Sequence, residues 1–296
     1  MVTIFGVPTV ALYGQLLIGL INGSFYALLS LGLAVIFGLL NIVNFAHGAQ
    51  YMLGAVVAYL LLKFAGVGYW TALFIAPLTV GVFGVILERF FLRWLYKLDP
   101  LYGLLLTFGI ALIIESVCSN SLGAAGVPYQ MPASLAGGHD LGFMFLPNYR
   151  AWVIIASLTV CLGTWFVIER TRLGSYLRAA TENPELVRAF GIRVPILISL
   201  TYGFGVALAA FAGVMAAPIY NVSPDMGSEL LIVVFAVVVI GGLGSILGSI
   251  IAGLVLGLVE GLTKVFFPDA ASTAIFIVMV FVLLVRPSGI FGRSKL

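Results

Sequence analysis

Nine apolar segments, most of them close to 20 residues long, run through this chain of 296 residues. About 20 residues of α-helix cross the hydrocarbon core of a bilayer, which is about 30 Å thick. Because lipid offers no partner to an open backbone group, each segment must be helical. A β-barrel would need alternating segments of about ten residues, whereas 151–168 and 274–285 are apolar without such alternation. The sequence therefore predicts an all-α, polytopic transmembrane helical bundle.

Charged residues are too few to cover a water-facing surface. They make up 8% of the chain, against 62% hydrophobic residues and a mean hydropathy of +1.20, whereas about a quarter of a soluble domain is charged. We interpret the net charge of +3 as basic loops beside a membrane, and we expect no nucleic-acid partner. Cys118 and Cys161 both fall inside predicted spans, where small apolar packing residues are the simplest interpretation.

The apolar segments predict eight to nine spans. The first is long enough to tilt or break, and the seventh is short for a full crossing. The seventh and eighth therefore allow a second interpretation, a re-entrant hairpin near 229–263. The predicted spans lie at about 12–40, 45–62, 70–90, 101–120, 151–169, 196–217, 229–243, 246–263 and 269–286.

Basic residues predict the orientation. Most of the 14 Lys and Arg residues fall in three clusters, at 89–97, 170–193 and 286–295. Because basic loops are retained in the cytoplasm, these clusters place the C-terminus inside and, by counting spans, the N-terminus outside. The loop 120–150, rich in Gly and Pro, is then external, and the loop 171–194 is cytoplasmic.

The cytoplasmic loop contains the signals of a short helix over about 184–190. Asn183 is a favoured N-cap residue and Pro184 suits the first helical position. Glu185 lies in the first turn, where the helix dipole favours an anion, and Gly191 is suited to a C-cap.

This short helix would present Leu186, Ala189 and Phe190 on one side. A helix of this length is not stable alone in water, so it needs a surface to pack on. Two interpretations follow from the spacing: the helix rests on the membrane face of its own chain, or it inserts its apolar side into another subunit.

Polar residues within spans are costly and call for a structural or functional reason. Asn41, Asn44 and His47 lie three residues apart and would share one face if that stretch is helical. They either form a hydrogen-bond network at a broken helix near the cytoplasmic interface or line a gate, and one His with two amides is a poor metal ligand set. The pathway or gate candidates are Asn22, Asn41, Asn44, His47, Gln50 and Glu115.

Acidic residues and glycines in the spans give further expectations. Glu115 is predicted to be the deepest carboxylate, either lining a pathway or held by structural hydrogen bonds. Glu260 is expected near the outer surface, in an ion pair with Lys264. The later spans carry glycines four apart, at 253, 257 and 261, which predicts close helix packing.

Several short motifs occur together along the chain and resemble those of the LivH-type permeases of branched-chain amino-acid ABC importers. The resemblance covers about residues 14–293. The matching strings are Asn22-Gly-Ser-Phe-Tyr-Ala27, Leu40-Asn-Ile-Val-Asn-Phe-Ala-His-Gly48, Tyr51-Met-Leu-Gly54, Arg178-Ala-Ala-Thr-Glu-Asn-Pro-Glu185, Ile240-Gly-Gly-Leu-Gly-Ser245 and Arg286-Pro-Ser-Gly-Ile-Phe-Gly292.

The resemblance implies one transmembrane permease domain over 1–296 in a bacterial inner membrane. It implies a LivM-type second permease, two cytoplasmic ATPases and a periplasmic binding protein. The substrates would be branched-chain or other apolar amino acids, although related systems carry urea, amides or aromatic acids. The loop 171–194 would dock on an ATPase through Asn183, Pro184, Glu185, Leu186, Arg188, Ala189, Phe190 and Gly191.

The sequence predicts no catalytic site. Walker A needs a Gly-Lys pair to bind phosphates, and none occurs, so ATP and Mg²⁺ would belong to the partner ATPases and no cofactor is expected here. A secondary transporter or channel working alone is a rival function, but neither a Thr-Val-Gly-Tyr-Gly filter nor a paired charge system is found. An intramembrane enzyme is disfavoured because His47 and His139 are the only histidines.

Overall fold

The structure, a computed structural model, describes residues 3–4, 7–40 and 43–292. The helix at Tyr69–Leu87 continues through a π-helical turn at Glu88–Leu92 into a last turn at Arg93–Leu95. Short 3₁₀ turns lie at Ala133–Leu135 and Pro268–Ala270. The helices of the described ranges are α1 (Thr9–Leu40), α2 (His47–Ala65), α3 (Tyr69–Leu87), α4 (Pro100–Leu122), α5 (Asn148–Arg170), α6 (Arg172–Glu182), α7 (Pro184–Ala189), α8 (Val194–Tyr220), α9 (Met226–Gly241), α10 (Ile246–Phe266) and α11 (Ala271–Val285).

The predicted all-α, polytopic class is confirmed. Eight helices of the described residues are long and apolar enough to cross a membrane. Helix α1 runs unbroken over 32 residues, about 48 Å at 1.5 Å per residue, so the long first segment does not break. Helix α9 has only 16 residues, which agrees with its short predicted segment, whereas α10 has a full spanning length of 21 residues.

Two small hairpins are the sheet structure of the described residues. Strand β1 (Thr3–Ile4) pairs antiparallel with β2 (Val7–Pro8), and β3 (Gly138–Asp140) pairs with β4 (Phe145–Pro147). The second hairpin lies in the predicted external loop, where the sequence analysis assigned no regular structure. Its register places His139 opposite Leu146.

The helices group into two compact units, and the prediction of a single domain is left as a prediction. One unit contains residues up to Ser30, Met131–Cys161 and the chain from Val233 onward. The other contains Leu31–Gln130 and Leu162–Ile232, so α1 contributes its first part to one unit and its last part to the other.

Close packing by glycine builds the first unit. An added Cβ on Gly257 of α10 would lie 2.3 Å from the Cα of Gly23 in α1, and one on Gly253 would lie 2.5 Å from the backbone nitrogen of Ala27. Gly261 likewise faces the carbonyl oxygen of Gln15 at 2.4 Å. The close approach that the glycine spacing predicted is therefore confirmed.

In the second unit, α2 and α3 pack against α8. Tyr202 and Val206 of α8 are fully buried in a core that includes Ile36 and Val80. Gly54 of α2 also approaches α8 so closely that an added Cβ would lie 2.1 Å from the carbonyl oxygen of Ala210. Tyr202 of this core is also one of the residues of the candidate site.

Contacts at the helix ends agree with the predicted parity of the spans. In the second unit Val127 of the predicted external loop pairs with Val222 after α8, and Thr181 donates to the Leu39 carbonyl with a distance of 2.6 Å. In the first unit the Ile290 amide donates to the Ile240 carbonyl at 2.9 Å. Each pair joins segments that were predicted on one side of the membrane.

Candidate functional site

Helix α7 forms where the sequence predicted it, and its ends are fixed by local chemistry. The Asn183 side chain accepts a hydrogen bond from the Leu186 amide at 3.0 Å, and Pro184 occupies the first turn. Gly191 follows the helix at a φ of 82°, a conformation that glycine adopts without strain. The N-cap, the proline and the terminating glycine are thus confirmed as structural features.

One side of α7 is buried within the chain. Val187 packs with Ala180 of α6 and Val194 of α8 in a small apolar cluster. This contact explains why so short a helix is stable, because most helical stability in proteins comes from tertiary packing. Val187 was not predicted from the sequence.

The other side of α7 is open. Phe190 is 78% exposed and Leu186 is 54% exposed, while Glu185, Arg188 and Ala189 are exposed around them. The apolar face therefore does not rest on the described part of its own chain. We call Leu186, Ala189 and Phe190 the open face of α7.

Helix α6 supports α7 and was not predicted. Arg178 donates to the Ile168 carbonyl at 3.2 Å and lies 3.5 Å from the Glu169 carboxylate. Gly174 packs so tightly on α5 that an added Cβ would overlap the Ile168 carbonyl oxygen, at 1.7 Å. These contacts hold α6 against the end of α5, and Ala180 of α6 packs in turn against Val187 of α7.

A buried polar cluster lies at the break between α1 and α2. The Asn44 amide nitrogen donates to Gln50 Oε1 at 2.9 Å, and Asn44 Oδ1 accepts from the Ala46 amide at 3.1 Å. The Gln50 amide nitrogen lies 3.5 Å from the Tyr202 hydroxyl. Thr107 of α4 accepts from the Phe45 amide at 3.1 Å. We call Asn44, Gln50, Thr107 and Tyr202 the polar cluster, and all four side chains are fully buried.

This arrangement corrects the expected helical face of Asn41, Asn44 and His47. Residues 43–46 are not helical, and α2 begins only at His47, because the Asn44 side chain takes up the backbone donor of Ala46 and favours a turn. His47 is fully buried against Gly32, whose added Cβ would lie 3.0 Å from His47 Cε1. Asn41 lies outside the described residues.

The other two candidates lie elsewhere. Asn22 is partly buried within α1 and is not part of the polar cluster. Glu115 is partly buried on α4 and lies near Ser228 of α9. Glu115 is therefore not the most buried carboxylate of the described residues, and its predicted depth within the span stays a prediction.

Two other carboxylates are buried more deeply. Glu88 is 1% exposed and accepts hydrogen bonds from the hydroxyls of Tyr96, at 2.7 Å, and Ser199. Glu260 is 8% exposed and accepts from the Tyr26 hydroxyl at 2.7 Å as well as from Lys264 at 2.5 Å. The predicted ion pair with Lys264 is therefore confirmed, but Glu260 is not an exposed surface group, because Tyr26 of α1 covers it.

The Tyr96 phenol is suited to its role as donor to Glu88. Burial raises the pKa of Tyr96 above its ordinary value, and the hydrogen bond to Glu88 raises that pKa further. The phenol therefore stays protonated across the physiological range. Glu88 holds the end of α3 to the start of α8 through Ser199.

We expect Glu88→Ala to destabilise the protein by about 2–4 kcal/mol, because it leaves a cavity and removes the acceptor of two hydroxyls. Glu88→Gln keeps the volume and one acceptor oxygen, so a smaller loss is expected. The thermal unfolding midpoint of the detergent-purified proteins measures both. Equal midpoints for Glu88→Ala and the parent would contradict the structural role.

Among the residues that the structure describes, no group of three or more His, Cys, Asp or Glu side chains lies together. The candidate site consists of the buried polar cluster among the helices and the open face of α7.

The chain resembles known membrane permeases along almost its whole length. Residues 15–285 match the model of a family described as branched-chain amino acid transport system / permease component. The chain is 30% identical over 294 residues to the high-affinity branched-chain amino acid transport system permease protein BraD of Pseudomonas aeruginosa, covering 95% of this chain and 96% of BraD. It is 30% identical over 296 residues to LivH of Escherichia coli, with the same coverage.

A second kind of permease also matches. The chain is 30% identical over 246 residues to LivM of Escherichia coli, a permease protein of the same class of system, covering 74% of this chain and 57% of LivM. No solved structure matches the chain.

Proposed function

Because the chain belongs to the family of permease components of branched-chain amino acid transport systems, we propose that it forms half of the membrane pathway of a binding-protein-dependent importer. The match along almost the whole chain carries this proposal, and it confirms the resemblance predicted from the motifs. The chain is a multi-pass membrane permease subunit and not an enzyme. We place it in a bacterial inner membrane.

The other half of the pathway would come from a LivM-type permease. The likeness to both LivH and LivM indicates that the two kinds of permease share one ancestral plan. A heterodimer of related subunits is therefore the assembly we propose. A periplasmic binding protein would deliver the substrate on the side of the 120–150 loop.

The open face of α7 would dock on a cytoplasmic ATPase. Leu186 and Phe190 are exposed although they are apolar, while Val187 anchors the helix from behind. Exposed aromatic side chains held by a rigid support are typical anchors of protein interfaces. ATP and Mg²⁺ would be bound by two such ATPase subunits, and residues 171–194 would then face the cytoplasm.

The polar cluster would act in a gate. Hydrogen bonds between its side chains fix the backbone at the break between α1 and α2. Full burial excludes water from these side chains in this conformation. Opening would require these hydrogen bonds to be exchanged for others, for example with water or substrate. Asn22, His47 and Glu115 stay candidates for the lining of the pathway, and so does Asn41.

Uptake of labelled leucine into proteoliposomes tests the whole proposal. The chain would be reconstituted with the second permease, the two ATPases and the binding protein, and uptake is expected only with ATP and all four components. The matched control omits the ATPases alone. Concentrative uptake in that control would contradict the proposal and support a secondary transporter.

Substrate class has its own measurement. We propose branched-chain or other apolar amino acids, since the relatives are named as permeases of branched-chain amino acid systems. Calorimetric titration of the binding protein with leucine, valine, urea, an amide and an aromatic acid would compare the alternatives. A preference for urea would contradict the proposed substrate class but would leave the proposed permease role unchanged.

A further inference from the structure

A charged cavity lies at the end of α3, apart from both parts of the candidate site. Its volume is about 280 Å³, and it is lined by Arg89 and Arg93 on one side and by Pro195, Ile196, Ser199 and Leu200 of α8 on the other. The two arginines are four apart and lie where the π-helical turn joins the last turn of the span. Both arginines therefore line the same cavity.

The positive charge of this cavity exceeds the negative charge beside it, since two arginines lie near one carboxylate, that of Glu88. The ion pairs found in the described part of the chain join Arg178 to Glu169 and Lys264 to Glu260, and neither includes Arg89 or Arg93. The adjacent carboxylate of Glu88 is buried and occupied by hydroxyl donors.

The surroundings of the cavity are apolar and open. Trp94 is 78% exposed, and Phe90, Ile86 and Leu200 are exposed as well. Tryptophan is enriched at the level of lipid headgroups. A ligand that fits this place needs an anionic group for the arginines and a hydrocarbon part for the apolar side chains.

We propose that the cavity binds an anionic phospholipid, with the phosphate between Arg89 and Arg93. Guanidinium groups bind phosphate oxygens in pairs of parallel hydrogen bonds, and basic pockets between transmembrane helices bind anionic headgroups. The acyl chains lie along the exposed side chains of α3 and α8, including Ile86 and Leu200. The proposal goes beyond the transport function and depends only on the chain spanning a membrane.

A comparison of two double variants tests this site. The full chain and its partner permease would be purified in nanodiscs containing equal parts of phosphatidylglycerol and phosphatidylcholine, and lipid retained after detergent exchange would be quantified by mass spectrometry. Arg89→Gln with Arg93→Gln is expected to retain phosphatidylglycerol about tenfold less well. The matched control, Lys97→Gln with Arg172→Gln, removes the same charge from exposed positions outside the cavity and is expected to retain lipid like the parent.

Three results would overturn the proposal. Equal phosphatidylglycerol retention in the two double variants would show that the cavity does not select the lipid. Displacement of the lipid by millimolar inorganic phosphate would show a site for a soluble anion. Loss of the second permease from the cavity variant alone would show that the arginines bind a protein partner.

Discussion

A Phe190→Asp variant should reach the membrane in normal amounts and lose its ATPase subunits. Phe190 is 78% exposed in the described part of the chain, so the chain's own stability should change little. In the proposed complex the new carboxylate would be buried in an apolar contact, which costs several kcal/mol. We expect at least a tenfold drop in ATPase recovered by co-purification with the tagged permease, and a matching fall in ATP-driven uptake.

Phe190→Leu is the matched control for this variant. It keeps an apolar side chain on the open face and should retain most ATPase binding. A second comparison, Val187→Asp, changes the buried side of α7 and should lower the amount of folded permease instead. Normal ATPase recovery with Phe190→Asp would remove the proposed docking role. The role would also be contradicted if Phe190→Leu lost as much ATPase recovery as Phe190→Asp while ATP-driven uptake stayed normal.

The contrast between α7 and α6 shows what local sequence can predict. The ends of α7 depend on Asn183, Pro184 and Gly191, whose effects are carried by neighbouring backbone groups, and all three were recognised. Helix α6 starts after Thr171, whose side chain makes no capping hydrogen bond, and contains Gly174. Gly174 serves a close contact with α5, a reason that lies outside its own segment.

The buried acidic residues show more clearly what cannot be predicted from the local sequence. Glu88 is separated from Ser199 by 111 residues, and Glu260 is separated from Tyr26 by 234. Nothing in the neighbourhood of either glutamate along the chain indicates that a hydroxyl from another helix will cover it. The sequence therefore ranked Glu115 deepest from its place within an apolar run, although depth in a span and burial in protein are different properties.

The break after α1 was predicted only in part. A structural hydrogen-bond network at a broken helix was one of two interpretations, and Asn44 and Gln50 do form such a network. Their third partner, Tyr202, comes from α8 and had no signal in the sequence. Apolar spans and glycine spacing were predictable because they depend on composition and period, whereas the pairing of polar groups depends on tertiary structure.

Gly257→Val is expected to have the largest effect on the stability of the fold. The added Cβ would lie 2.3 Å from Gly23 Cα and 2.4 Å from the Gly19 carbonyl oxygen, and backbone atoms cannot move aside as a flexible side chain can. Forcing α10 away from α1 would also expose the buried pair of Glu260 and Tyr26 to rearrangement. We expect a loss of about 3 kcal/mol or more, measured as a lower thermal unfolding midpoint and a smaller monodisperse fraction in detergent.

Gly163→Val separates this packing effect from the general effect of valine in a helix. Gly163 lies within α5, is exposed, and has nothing within 4 Å of its added Cβ, so the unfolding midpoint should stay close to that of the parent. Gly257→Ala adds only the Cβ and should fall between the two valine variants. If Gly257→Val unfolded at the same temperature as Gly163→Val, α10 could not lie against α1 at this distance. The packing of the first unit would then have to be different, because three glycines of α10 depend on the same approach.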